Sequence, residues 1–145
     1  MSPDVYRQMV EIISALMGKP WVLGSFDPAV GFDCVSFPLY VYDQLGAKLP
    51  HEFEGLTWES YAAAYRLKPD YGLFERFLLS LGENVPRAYR LPGDLLVMAG
   101  GDQGEHITAA ILLPNQKAVR VDPVLGVMIF PSKLIKDLRG IRRVI

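Results

Sequence analysis

One cysteine, Cys34, stands in the 145 residues, so no disulfide can form within the chain and thiol chemistry has a single address. Histidine is almost as scarce, with only His51 and His106. Two histidines and one cysteine at wide spacing make no zinc pattern, and neither a metal nor another cofactor is expected. An excess of one charge is also missing. Fifteen Lys and Arg face 16 Asp and Glu, a formal net charge of -1, which speaks against a nucleic-acid backbone as the main partner. The local basic cluster Arg139-Gly140-Ile141-Arg142-Arg143 reads as solvated surface. Apolar runs such as 107–113 fall far short of the roughly 20 residues that span a bilayer, so no membrane insertion is expected. The start, Met1-Ser2-Pro3-Asp4-Val5, lacks the basic region and apolar run of a signal peptide, and synthesis in a cytoplasm is expected. Gly100-Gly101-Asp102-Gln103-Gly104 leads into a strand-like run, not the helix that a phosphate loop needs.

What is present fits one domain, 1–145, with one core: half the residues are apolar and 21% are charged. Ser2 caps a helix with Pro3 at its first position, and Val5, Met9, Ile12, Ile13 and Leu16 recur at helical spacing up to Gly18. A turn-rich segment follows at 24–31. A second helix is predicted over 34–45, with Gly46 past its end and Pro38 in its first turn. Within 47–90, a helical insert, Thr57 is expected to cap a helix carrying Trp58, Ala62 and Tyr65. Asp70 is expected to cap another that carries Leu73, Phe74, Phe77, Leu78 and Leu81 on one face. The aromatics of this insert read mainly as core, with walling of a cleft as the alternative. After Pro92-Gly93, strands are predicted at 94–98, 106–113, 117–121, 126–130 and 141–145, joined by turns that include 100–104 and 114–116. Helices first and strands later predict an α+β domain with N-terminal helices packed on a central antiparallel sheet.

Cys34 follows a glycine-bearing loop and Asp33, and it opens the second predicted helix. Unpaired backbone N–H groups and the helix dipole there would lower a thiol from its ordinary value of roughly 8.5 and stabilise an oxyanion. A thiolate nucleophile needs a base that titrates near neutrality, which histidine provides. His51 lies beside Glu52 and Glu54 and reads as an exposed loop residue. His106 opens an apolar strand and is the candidate base. Asp33 reads equally well as a helix cap.

Four motifs carry a resemblance, the first of them spread over two stretches. Gly18-Lys19-Pro20-Trp21-Val22-Leu23-Gly24 and Gly31-Phe32-Asp33-Cys34-Val35-Ser36-Phe37 look like the glycine-rich turn and Asp-Cys helix of NlpC-type papain-like cysteine peptidases. Leu91-Pro92-Gly93-Asp94-Leu95-Leu96-Val97 resembles their Pro-Gly-Asp-Leu strand. The strand opened by His106 resembles the one that begins with the catalytic histidine, and Val119-Arg120-Val121-Asp122-Pro123 resembles the next. Order and spacing agree over about residues 8–130.

The resemblance implies a papain-like NlpC fold and a peptidoglycan endopeptidase that cuts the wall stem peptide, typically after γ-D-glutamate. Cys34 would be nucleophile and His106 base. Trp21, Asp33 and Ser36 would border the substrate. The third catalytic position, normally His, Asn or Gln, falls on Arg120, which has no acceptor for an imidazole N–H. Asp122, two residues on, is the alternative acceptor. Trp21 replaces the family's cleft tyrosine, and Val35 stands where serine usually follows the cysteine. The short form and long insert look most like the phage-tail branch. That branch implies tail-tip or hub proteins as partners, incorporation in a virion tail, and action in the periplasm or cell wall. Two alternatives remain: a structural or binding member of the same fold that does not cut, and a papain-like amidase.

Overall fold

The computed structural model describes residues 1–67, 70–100 and 106–145. Among the described residues there are four helices and eight strands, in the predicted order of helices early and the main sheet late. α1 (Pro3–Leu16) starts where Ser2 Oγ accepts Val5 N–H at 3.2 Å, with Pro3 at its first turn, and buries Met9, Ile13 and Leu16. α2 (Ser36–Gln44) is two residues shorter at its start than expected, because Cys34 and Val35 form a turn that feeds it. Its ladder nevertheless begins on Asp33, whose C=O accepts Phe37 N–H at 3.1 Å. α2 buries Ser36, Phe37, Pro38, Leu39, Val41 and Tyr42. Residues this far round a helix are buried only when it runs through the middle of the core.

The insert is more mixed than a helical reading allows. It opens with a two-stranded hairpin, β1 (Glu52–Phe53) and β2 (Leu56–Thr57). Thr57 is therefore a strand residue, and α3 (Tyr61–Leu67) begins beyond Trp58. Two-residue strands carry no periodicity from which to read them. α4 (Tyr71–Leu79) is capped as expected, with Asp70 Oδ1 accepting Leu73 N–H at 3.0 Å, and it buries Phe74, Phe77 and Leu78.

The sheet has six strands in the order β3-β8-β4-β5-β6-β7, antiparallel throughout: β3 (Glu83–Asn84), β4 (Leu95–Gly100), β5 (His106–Leu113), β6 (Lys117–Asp122), β7 (Gly126–Pro131) and β8 (Leu138–Arg143). β8 lies three residues earlier than the predicted 141–145, and a bulge at Val97/Met98 re-registers it against β4. Most of the turn expected at 100–104 lies outside the described residues. Strand alternation gives the sheet two faces. Leu95, Val97, Ile107, Ala109, Ile111, Val119, Val121 and Val127 join the helices in the main core. Leu96, Met98, Ala110, Leu112, Ala118 and Phe130 form a smaller cluster on the other side. Among the described residues no helix is long and apolar enough to cross a membrane.

The Pro92-Gly93-Asp94 turn is a junction. Asp94, 2% exposed, accepts Arg143 Nε and Nη2 at 2.9 Å each and Leu91 N–H at 2.8 Å. The buried Tyr42 hydroxyl donates to Gly93 C=O at 2.8 Å, so the same turn ties α2 to β4 and β8. Removing one partner of a buried, hydrogen-bonded ion pair leaves the other desolvated and alone. Asp94→Ala should therefore lose about 2–4 kcal/mol of unfolding free energy in urea titrations, and an unchanged midpoint would contradict this role.

Candidate active site

The turn that presents Cys34 is built around one carboxylate. Asp33 is 2% exposed. Its Oδ1 accepts Val35 N–H at 2.9 Å and Ser36 N–H at 2.8 Å, and its Oδ2 accepts Gly24 N–H at 2.8 Å and the Tyr61 hydroxyl. Ser36 Oγ accepts Asp33 N–H at 2.9 Å, completing a reciprocal cap. Asp33 satisfies the amides of Val35 and Ser36, while the Cys34 N–H lies beside its own sulfur. Two glycines permit the packing. A side chain at Gly31 (φ +144°) would lie 2.2 Å from Pro20 C=O, and one at Gly24 (φ +75°) would lie 2.3 Å from Ala62 Cβ on α3. The bridge Trp21↔Phe32 then sets Trp21 beside the turn.

Opposite this turn the sheet opens. β4 and β5 stay paired to Gly100↔His106. The β5–β6 ladder ends among the described residues at Ile111↔Val119. Beyond it the strands part, and a cleft of about 270 Å³ occupies the space. Cys34, His106, Thr108 and Arg120 line it, with Trp21 and Tyr61 among the flanking side chains. Cys34 Sγ donates to Ile107 C=O at 3.9 Å, next to His106 in the chain. The sequence-predicted nucleophile and base therefore share one cleft.

The other candidates divide. Trp21 faces the cleft, half-buried. Asp33 reaches its wall with its carboxylate occupied as described. Ser36 is fully buried beneath the turn and acts as its internal acceptor. Arg120 lines the cleft, with its guanidinium carbon 5.2 Å from the Phe130 ring centroid and Nη2 3.3 Å from Asp122 Oδ1. Asp122 Oδ2 accepts Val124 and Leu125 N–H at 2.9 Å each. These amides hold its carboxyl below the usual range, so it is largely committed to the β6–β7 turn. His51 lies elsewhere, stacked on Trp58 at 4.0 Å.

Electrostatics at Cys34 run against the sequence expectation. Burial, and then the neighbouring Asp33 charge, push its thiol up to about 12. A hydrogen bond from the Thr108 hydroxyl, its own backbone N–H and the Arg120 charge pull the other way without prevailing. A helix start stabilises a thiolate only where solvation does not cost more, and here the desolvation dominates.

The model of the NlpC/P60 family matches residues 18–130. The chain belongs to the NlpC/P60 family. An NlpC/P60 family protein from Bacillus cereus superposes with a TM-score of 0.68 at 20% identity, covering 96% of this chain and 40% of that one. The NlpC/p60 domain of the peptidoglycan hydrolase SagA gives 0.60 at 21% identity, covering 95% and 97%. RipB, a peptidoglycan hydrolase of Mycobacterium tuberculosis, gives 0.62 at 22% identity, covering 100% and 69%. The chain thus spans less than half of the Bacillus structure, which continues well beyond the shared NlpC/P60 fold. No curated protein sequence matches it.

Three contacts at this NlpC/P60 cleft escaped sequence reasoning: Tyr61 on Asp33, Thr108 on Cys34 and Tyr71 on His106. Thr108 had a signal, since it sits two residues from His106 on the same strand face. The tyrosines had none beyond membership of an aromatic insert, because only the fold carries that insert to the cleft.

Tyr61→Phe removes a donor from a buried carboxylate and should cost about 1–3 kcal/mol in denaturant titrations, with no loss as the contrary result. A raised thiol is mostly protonated at neutral pH. Alkylation of Cys34 by iodoacetamide should accordingly climb about tenfold per pH unit from 7 to 10. A plateau already reached by pH 8 would contradict the raised value.

Proposed function

We propose that this NlpC/P60 chain is a peptidoglycan hydrolase that cleaves an amide of the wall stem peptide through Cys34. The observation that carries the reading is the placement of the lone cysteine and His106 in one cleft, with the thiol on the carbonyl beside the histidine. In the resting site the sulfur holds its proton. As Sγ attacks the scissile carbonyl, that proton passes to His106, and the carbonyl electrons form an oxyanion facing the Cys34 N–H. Collapse of this intermediate breaks the C–N bond, and His106 returns the proton to the departing amine. A thioester is left on Cys34. Water, deprotonated by His106, then releases the acid and regenerates the thiol. Thr108 and Arg120 offset part of the charge that develops on sulfur.

The finer reading is an endopeptidase acting after γ-D-glutamate, delivered as part of a phage tail. On this reading the chain is made in a cytoplasm, assembled with tail-tip or hub proteins and carried to the periplasm or wall. Its support is the agreement of four motifs with the family and the long insert between Cys34 and Pro92. An amidase would share the Cys-then-His order but would free a lactyl group instead of an amino-acid N-terminus.

A second reading has its own observation. Arg120 fills the third position with a group that cannot accept an imidazole N–H, and Asp122 is engaged by its turn. A member so altered would bind wall peptide, or neighbouring tail subunits, without cutting.

Purified peptidoglycan incubated with the protein and analysed by mass spectrometry separates these. The hydrolase reading expects new peptide ends, abolished by Cys34→Ala and reduced at least 100-fold by His106→Ala. Intact wall after prolonged incubation, with peptide still bound, would favour the binding reading.

A further inference from the structure

The hydrolase reading leaves the long insert without a task, yet the insert reaches the site from two sides. Through α3 it places Tyr61 on Asp33, beneath the nucleophile. Through α4 it lays the Tyr71 ring on the His106 imidazole, with centroids 5.0 Å apart and planes 13° from parallel. Tyr71 is itself well held. Its hydroxyl meets that of Tyr65 at 3.1 Å, and its ring packs edge-on against Tyr65 at 5.9 Å and Phe74 at 6.3 Å. The Asp70 cap pins the first turn of α4, which Tyr71 opens.

His106 is exposed at the start of β5, and the torsions that swing an imidazole decide where its nitrogens point. A ring stacked on its face restricts tilt without covering the ring edge, where both nitrogens lie. Arg120, on the neighbouring strand, offers no acceptor for this work.

We propose that Tyr71 is a positioning residue for His106: the insert supplies by stacking an orientation that β6 does not supply through Arg120. The proposal rests on the reading of His106 as the base. Tyr61 on the same insert steadies the nucleophile's side, so one segment holds both halves of the pair.

The test compares the full chain with Tyr71→Phe and Tyr71→Leu. Proton NMR of the two histidines, assigned by a His51→Gln variant, reads the stack without any need for activity. In the parent, the tyrosine ring current moves the His106 ring protons upfield. Phe keeps that shift, and Leu abolishes it. With wall peptide as substrate, Leu lowers kcat about tenfold with KM within about twofold, and Phe recovers most of the loss. Absence of an upfield shift in the parent overturns the proposal even if the Leu variant fails to fold. So does a folded Leu variant with parental kcat, or a Phe variant as impaired as Leu. If the parent cuts nothing, the hydrolase reading fails on its own, and a missing ring-current shift would still sink the stack.

Discussion

The carboxylate of Asp33 is the constraint on which the rest of the site hangs. Two of its hydrogen bonds close the turn that presents Cys34, one holds the glycine loop at Gly24, and one reaches across to Tyr61 on the insert. A buried charge is tolerated only when such donors replace water. Here the donors come from separate parts of the chain, so satisfying the charge also assembles the cleft. The same charge has a cost for chemistry. It lies next to the nucleophile and adds to the burial that keeps the thiol protonated. In the proposed mechanism the site therefore depends on a base, His106, able to take the proton during attack.

That base comes from a sheet that is paired where it must be rigid and parted where it must be open. β4 anchors β5 along its length as far as His106, and β6 leaves it after Ile111. The gap between β5 and β6 becomes the cleft, and the wall facing it is aromatic and drawn from the insert. Arg120 stands at the edge of this gap, stacked on Phe130 and tied to Asp122, and lends its charge to the thiol's surroundings.

Much of this was legible in the residues. The Ser2 and Asp70 caps, the strand opened by His106 and the α+β order follow from local rules of capping and alternation. That Cys34 and His106 would come together was legible because the chain offers so few thiols and imidazoles, and the structure sets both in one cleft. Asp33 as a cap was legible as one of two roles. What stayed hidden depended on contacts between distant segments. Nothing near Tyr61 in the sequence points to Asp33, and nothing near Tyr71 points to His106. The thiol's shift was misjudged because a helix start can be read from local sequence, whereas burial against β5 cannot. The β8 register was missed because a bulge on its partner strand sets it.

The central claim is covalent: the stem peptide passes through a thioester on Cys34. Acid quenching of the protein with a soluble wall peptide during turnover, followed by intact-mass and peptide mapping, tests it most directly. The account predicts an adduct with the mass of the N-terminal portion of the peptide, borne on the tryptic fragment that contains Cys34 and lost when the quenched sample is treated with hydroxylamine. Turnover without any adduct, in a Cys34→Ala protein that cuts as fast as the parent, would contradict it.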